Sequence, residues 1–138
     1  MSETKSHKSQ QKTVANSKKQ YKQVLEAKLN VKTTFNNTLV SVTDATGNVL
    51  AWSSSGHAGF KGSRRSTPYA ATTAIEKVLS EAQKHGVKKL SVFIKGPGSG
   101  RDAVLRYLRA KRDFEVEQLA DVTPIPHNGP RAPKSRKV

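Results

Sequence analysis

A chain of 138 residues with a net charge of +15 and no cysteine has room for one ordinary domain core and excludes disulfide and thiolate chemistry. No apolar run approaches the roughly twenty residues that span a bilayer, and no basic amphipathic helix marks a membrane surface, so the charge points to a polyanionic partner, nucleic acid ahead of acidic lipid. The excess gathers at the ends: residues 1–22 hold six Lys against one Glu, residues 129–138 hold four Lys or Arg and no acid, and the body keeps a milder +6.

The first twenty residues, MSETKSHKSQQKTVANSKKQ, lack the hydrophobic segment of a secretory signal and the apolar stripe of a transit peptide. Residues 1–22 are therefore expected to be a disordered basic arm. A single α/β domain is expected over 23–122, and a Pro-rich basic tail over 123–138. LNVKTTF (29–35) puts Leu29, Val31, Thr33 and Phe35 on one face, the period-two pattern of a half-buried strand. Asn36 and Asn37 tolerate positive φ and suit a tight turn into TLVSVTD (38–44), where Val40 and Val42 alternate with Ser41 and Thr43. A second turn, ATGN, leads to VLAWSS (49–54), completing an antiparallel three-stranded meander.

The connection SSSGHAGFKGSRRSTP (53–68) is long beside the roughly four to six residues usual between elements, and loops of such length are functional or disordered. Thr67 and Pro68 then start a helix, by side-chain capping and by a proline at its first position. Ala71, Ala74, Ile75, Val78, Leu79 and Ala82 recur at helical spacing and Gly86 ends the element. LSVFIK (90–95) is apolar on both faces except at its ends, as for a strand covered on two sides. GPGSGR (96–101) opens a second helix running to about Arg112, with Ser99 and Asp102 at capping-box spacing. FEVEQLADV (114–122) reads as a last strand, and four prolines between 123 and 133 prevent further regular structure. The order βββαβαβ, with right-handed crossovers, predicts two helices against a mixed five-stranded sheet in an α/β sandwich.

GPGSG matches neither the dinucleotide nor the P-loop spacing. Its glycines serve a close backbone approach to an anion at the following helix start, flanked by Lys95 and Arg101, or a tight turn with a helix cap, or both. On the first reading, a side chain at Gly98 blocks RNA docking while the isolated fold stays intact. A metal-dependent nuclease is the enzyme alternative, since the element order resembles the ribonuclease H arrangement. Its candidate carboxylates are Asp44, Glu76 or Glu81, Asp102 and Asp121, but the first strand contains no acid, and the four histidines show no metal-ligand spacing. In the long loop Lys61, Arg64 and Arg65 offer charge for phosphates, Gly56, Gly59 and Gly62 allow close backbone approach, and His57 and Phe60 offer flat surfaces for bases. A solvated cationic surface is the bland alternative for this loop alone, but the arms, the loop and the GPGSGR turn all recruit the same kind of partner. In PHNGPR (126–131), Asn128 precedes Gly129, the pair in which backbone attack on the side-chain amide is least obstructed. Isoaspartate formation is one expectation there, and a positive-φ turn at Asn128 the other.

Three ordered blocks, FNNTLVSVTDATGNVLAWSSSGHAGFKGSRRSTPYAA, IKGPGSGRDAVLR and DVTPIPHNGPRAPKSRKV, resemble the bacterial-type small-subunit ribosomal proteins numbered eleven, with the similarity covering about residues 29–138. The resemblance implies a structural rRNA-binding protein of the small-subunit platform, near the messenger exit and E site, with messenger RNA nearby and the platform proteins numbered six, seven and eighteen as neighbours. It implies a cytoplasmic ribosome rather than an organellar one, a ribonuclease H-like fold without catalytic carboxylates, and no metal, cofactor, small-molecule substrate or membrane. By motif, Phe35, Asn36, Asn37 and Thr38 are expected in an RNA-facing hairpin. Gly59, Phe60, Lys61, Gly62, Arg64 and Arg65 fall in a basic loop that takes its order from RNA. Lys95, Gly96, Pro97, Gly98, Gly100 and Arg101 fall in a phosphate-facing turn, and His127, Asn128, Gly129, Arg131, Lys134, Arg136 and Lys137 in a tail among RNA helices. A nucleic-acid annealing, chaperone-like accessory factor is the alternative function.

Overall fold

The computed structural model describes residues 22–138; the arm expected over 1–22 lies outside them except for Lys22. Five strands, β1 (Glu26–Thr33), β2 (Thr38–Thr43), β3 (Val49–Ser54), β4 (Lys89–Lys95) and β5 (Glu115–Asp121), alternate with α1 (Pro68–Lys84) and α2 (Gly100–Ala110), and a short 3-10 helix (Gly62–Ser66) precedes α1. They form one sheet in the order β3-β2-β1-β4-β5. β1 pairs antiparallel with β2 and β2 with β3, whereas β1–β4 and β4–β5 are parallel. This is the mixed ribonuclease H-like α/β arrangement that the element order predicts. The two crossovers, β3 to β4 and β4 to β5, step in the same direction across the sheet, so right-handedness puts both helices on one face, where they pack together.

Strand alternation builds the core. Ala27, Leu29 and Val31 from β1, Val40 and Val42 from β2, and Leu90, Val92 and Ile94 from β4 point to the helices and meet Ala74, Ile75, Val78, Leu79 and Val104. Each fully buried Leu, Ile or Val side chain of this kind stabilises the fold by about 1.5–3 kcal/mol relative to an exposed one. β4 departs from expectation: Leu90, Val92 and Ile94 are buried, but Ser91 and Phe93 are only half-buried. With both helices on one face, the other has no layer of described residues above it.

Local chemistry explains the remaining boundaries. Thr67 Oγ1 accepts from the Ala70 amide at 3.3 Å, with Pro68 in the first turn of α1. Gly86 follows the helix at φ 74°, and the Gly86 and Val87 amides donate to Gln83 and Ala82 carbonyls, as an αL glycine after a helix allows. β1 stops at Thr33, so Phe35 leaves the buried face and is 77% exposed. The cause is Thr34: its amide donates to the Asn37 carbonyl, and its hydroxyl accepts from the Asn36 and Asn37 amides, folding the chain before the alternation reaches residue 35. Neither Asn36 nor Asn37 takes positive φ; Asn128 is the one non-glycine residue of the described chain that does. Ser99 does not cap α2. Its backbone is already helical, and its hydroxyl donates instead to the Ser66 carbonyl at 2.5 Å.

Candidate nucleic-acid interface

The parallel strands β1, β4 and β5 end, and both α-helices begin, at the same end of the sheet, where open α/β sheets bring their ligand-binding loops together. The hairpin tip at 34–37, the loop at 55–67, the turn at 96–99 and the start of the tail therefore converge, although up to 65 residues separate the partners in sequence. Hydrogen bonds join them. The Thr33 hydroxyl accepts from the Gly98 amide at 3.1 Å and donates to the Lys95 carbonyl at 3.4 Å. The Ser55 amide donates to the Thr38 carbonyl at 3.0 Å, and Ser99 reaches Ser66.

The turn's glycines answer to this packing. A Cβ on Gly96 would collide with the Thr33 carbonyl oxygen, one on Gly98 with the Thr34 carbonyl oxygen, and one on Gly100 with the Thr38 hydroxyl, each closer than real Cβ contacts allow. Gly96 also has φ 101°. All three are buried, so the tight-turn reading holds at these positions. The expectation that a side chain at Gly98 leaves the isolated fold intact is overturned: the atoms it would strike, on Thr33 and Thr34, belong to the end of β1 and the hairpin tip. Thr38 is likewise buried rather than RNA-facing, while Phe35, Asn36, Lys95 and Pro97 are exposed.

The long loop is laced by hydrogen bonds within itself. His57, Ala58 and Phe60 amides donate to Ser54 Oγ, the Ser54 carbonyl and the Ser55 carbonyl, Gly59 and Gly62 take positive φ, and the 3-10 helix is braced by Ser66 and Thr67 hydroxyls on the Ser63 and Arg64 carbonyls. Phe60 meets Tyr69 edge to face at 5.7 Å between centroids, and Gly59, Phe60, Lys61 and Arg64 line a shallow concavity of about 460 Å³. Lys61 and Arg64 are exposed, whereas Arg65 is half-buried with Nε donating to the Gly62 carbonyl. His57 leaves this group and packs against Trp52 at 4.6 Å. Tyr69, 71% exposed, was missed by sequence reasoning. The available signal was its offset from the apolar stripe that begins at Ala70 and Ala71.

Arg101 is committed inside the protein. Its Nη2 donates to Asp121 Oδ2 at 2.7 Å and its Nη1 to the Gly96 carbonyl at 3.0 Å, while Thr123 bonds both Asp121 and the Gly96 amide. This cluster fastens the turn, α2 and the end of β5 to the first residue of the tail. The Arg101 guanidinium, then the Thr123 hydroxyl and amide, hold the Asp121 carboxyl well below the usual carboxylate range. The ion pair pushes Arg101 up. From residue 124 onward no hydrogen bond or ion pair among the described residues joins the tail to the domain. His127, Asn128, Gly129, Arg131, Lys134, Arg136 and Lys137 are all exposed there, with Asn128 at φ 56°.

The acids are distributed unevenly along the strands. Of the nine carboxylates in residues 22–138, only Asp102 and Asp121 stand at the loop end. Glu26, Asp44, Asp113, Glu115 and Glu117 stand at the other, and Glu76 and Glu81 in the latter part of α1. Asp44 is engaged by Lys22 at 3.1 Å and by Thr46 and Asn48; the Thr46 hydroxyl leads in drawing its carboxyl far down. Asp44 and Asp121 are thus at opposite ends of the sheet, and among the described residues no three His, Asp or Glu side chains gather as a metal-holding group. The carboxylate set required by the nuclease alternative is not assembled. No helix among the described residues is long and apolar enough to cross a membrane. A family model described as ribosomal protein S11 matches residues 27–137.

Proposed function

Because the chain belongs to the ribosomal protein S11 family, whose members are structural proteins of the small ribosomal subunit that bind its rRNA, we propose that its loop end docks on that RNA in the platform, near the messenger exit and E site. The observation that carries this reading is the convergence of exposed cations and aromatics at the carboxyl ends of the parallel strands, where the only acids among the described residues are Asp102, in the first turn of α2, and Asp121, paired with Arg101. Lys61, Arg64 and Lys95 neutralise phosphates, Phe35, Phe60 and Tyr69 offer faces for bases, and the tail threads outward with four cations. The neighbours are the platform proteins numbered six, seven and eighteen, messenger RNA passes nearby, and the ribosome is the cytoplasmic one.

The glycine turn and the Arg101 cluster act through other residues. They hold the hairpin tip, loop and tail root in fixed relation, so that the contacting groups arrive with little ordering left to do. Sucrose-gradient sedimentation of lysate at high salt tests the reading. A stoichiometric subunit protein stays with the small subunit; washing off overturns it in favour of an annealing accessory factor.

A further inference from the structure

Among the described residues, no helix or strand covers the sheet face opposite the helices. Lys32, Leu39, Trp52, Phe93, Lys95 and Val122 are among the residues that line a concavity of about 410 Å³ on it. Strand register arranges them in rows. Trp52 lies opposite Ser41, Ser41 opposite Asn30 and Asn30 opposite Phe93, so the aromatics stand three strand spacings, roughly 14 Å, apart with short polar side chains between them. The parallel row towards the loop end runs Leu39, Lys32, Lys95. Trp52 remains 61% exposed although His57 packs against it at 4.6 Å.

We infer that this face is a second RNA surface, which takes a short single-stranded segment with bases stacked on Trp52 and Phe93 and phosphates over Lys32 and Lys95. Charge decides between RNA and protein as the occupant. No carboxylate lines the concavity, and Lys32 and Lys95 occupy directly adjacent register positions, where like charges repel unless an anion lies over them. An apolar protein segment would cover the aromatics and leave that repulsion in place. A nucleotide chain laid across the strands satisfies both rows, because aromatic platforms accept any base and cations track the backbone. Lys95 also begins the loop-end turn, so the face continues the docking surface above. The inference rests on the family reading only in taking RNA as partner.

Trp52 is the chain's one tryptophan and reports directly. The full-length protein is titrated with an eight-nucleotide oligouridylate while tryptophan emission is followed, and affinities are taken from anisotropy of the labelled oligonucleotide. Saturable quenching is expected. Trp52→Leu should weaken binding about 5- to 150-fold, the range for losing one stacked base. Lys32→Ala with Lys95→Ala should lower the log–log salt slope by about 1.4, two single-strand phosphate contacts. The Lys61→Ala, Arg64→Ala variant, altered only at the loop end, should keep the quenching while losing rRNA affinity. Unchanged emission at saturation of the wild-type protein, which needs no variant to fold, overturns the inference and leaves the face to a protein; rRNA binding intact in the same preparation leaves the family reading standing.

Discussion

Replacing Lys61 and Arg64 together with Ala measures how many phosphates the loop end neutralises. The structure selects these two: both side chains are exposed, and among the described residues neither makes a side-chain hydrogen bond or ion pair. Arg65 and Arg101 are tethered to Gly62 and Asp121. Each phosphate contact contributes about 0.7–0.9 to the slope of log affinity against log salt, so the double variant should flatten it by about 1.4–1.8. Between about 50 and 200 mM salt, the wild-type protein should therefore lose about 7- to 12-fold more affinity than the variant. Filter binding to transcribed small-subunit rRNA gives both slopes. Stability should change by no more than about 0.5 kcal/mol, as for surface positions without partners. Equal slopes would refute the reasoning, because they would mean that these cations face solvent in the complex.

Gly98→Ala should destabilise the isolated domain by about 1–3 kcal/mol in urea unfolding, as overpacking does, because its Cβ meets the Thr34 carbonyl; Gly47→Ala, with positive φ but open space around it, should lose only about 1–2 kcal/mol. Arg101→Met should lower the melting temperature and free the tail root, seen as faster amide exchange at Thr123, yet leave the rRNA salt slope within error of wild type. The Asp44 carboxyl is depressed in the folded chain, so its stabilisation is complete above the unfolded value of about 3.9 and is lost as pH falls through the folded value; acid unfolding should be shallower in Asp44→Asn, and identical profiles would exclude the turn as a source of acid lability. Peptide mapping of protein from assembled small subunits, with fragmentation that separates aspartate from isoaspartate, should find isoaspartate at Asn128, whose neighbour Gly129 leaves the backbone nitrogen unobstructed; intact Asn128 in nearly every molecule sinks that expectation.

What the sequence disclosed and what it hid follow from the range of the interactions. Thr67 and Pro68 announce α1 because capping is settled within four residues, and Val40 with Val42 announce a buried face because strand period is local. Phe35 extends the same alternation and misleads, since a hydroxyl one residue earlier had already closed the turn. The glycines at 96, 98 and 100 looked equally suited to an anion or to a tight turn. The tight turn is required by the carbonyls of Thr33 and Thr34 and the Thr38 hydroxyl, more than sixty positions away and visible only once β1 pairs with β2 and β4. Arg101 read as a phosphate ligand for the same reason: Asp121, twenty residues on, reaches it only through the β4–α2–β5 crossover. The short 3-10 helix has no periodic pattern to announce it, and the open face was concealed because Phe93 gives β4 the composition of a strand covered on both sides.

The asymmetry of charge along the strands acts before any contact forms. At one end carboxylates offset cations such as Lys28, Lys88, Lys89 and Lys111, whereas the loop end and the basic tail carry cations with few acids, so the net positive charge is weighted towards the loops, and in the field of a polyanion such an asymmetry feels a torque as well as a pull. Diffusing towards RNA, the protein turns its loops forward and its Glu26, Glu115 and Glu117 edge away, so that fewer encounters are wasted in the wrong orientation. Moving two acids from that edge to the loop end, at constant net charge, would leave the overall attraction nearly unchanged and slow association through misaligned arrivals alone.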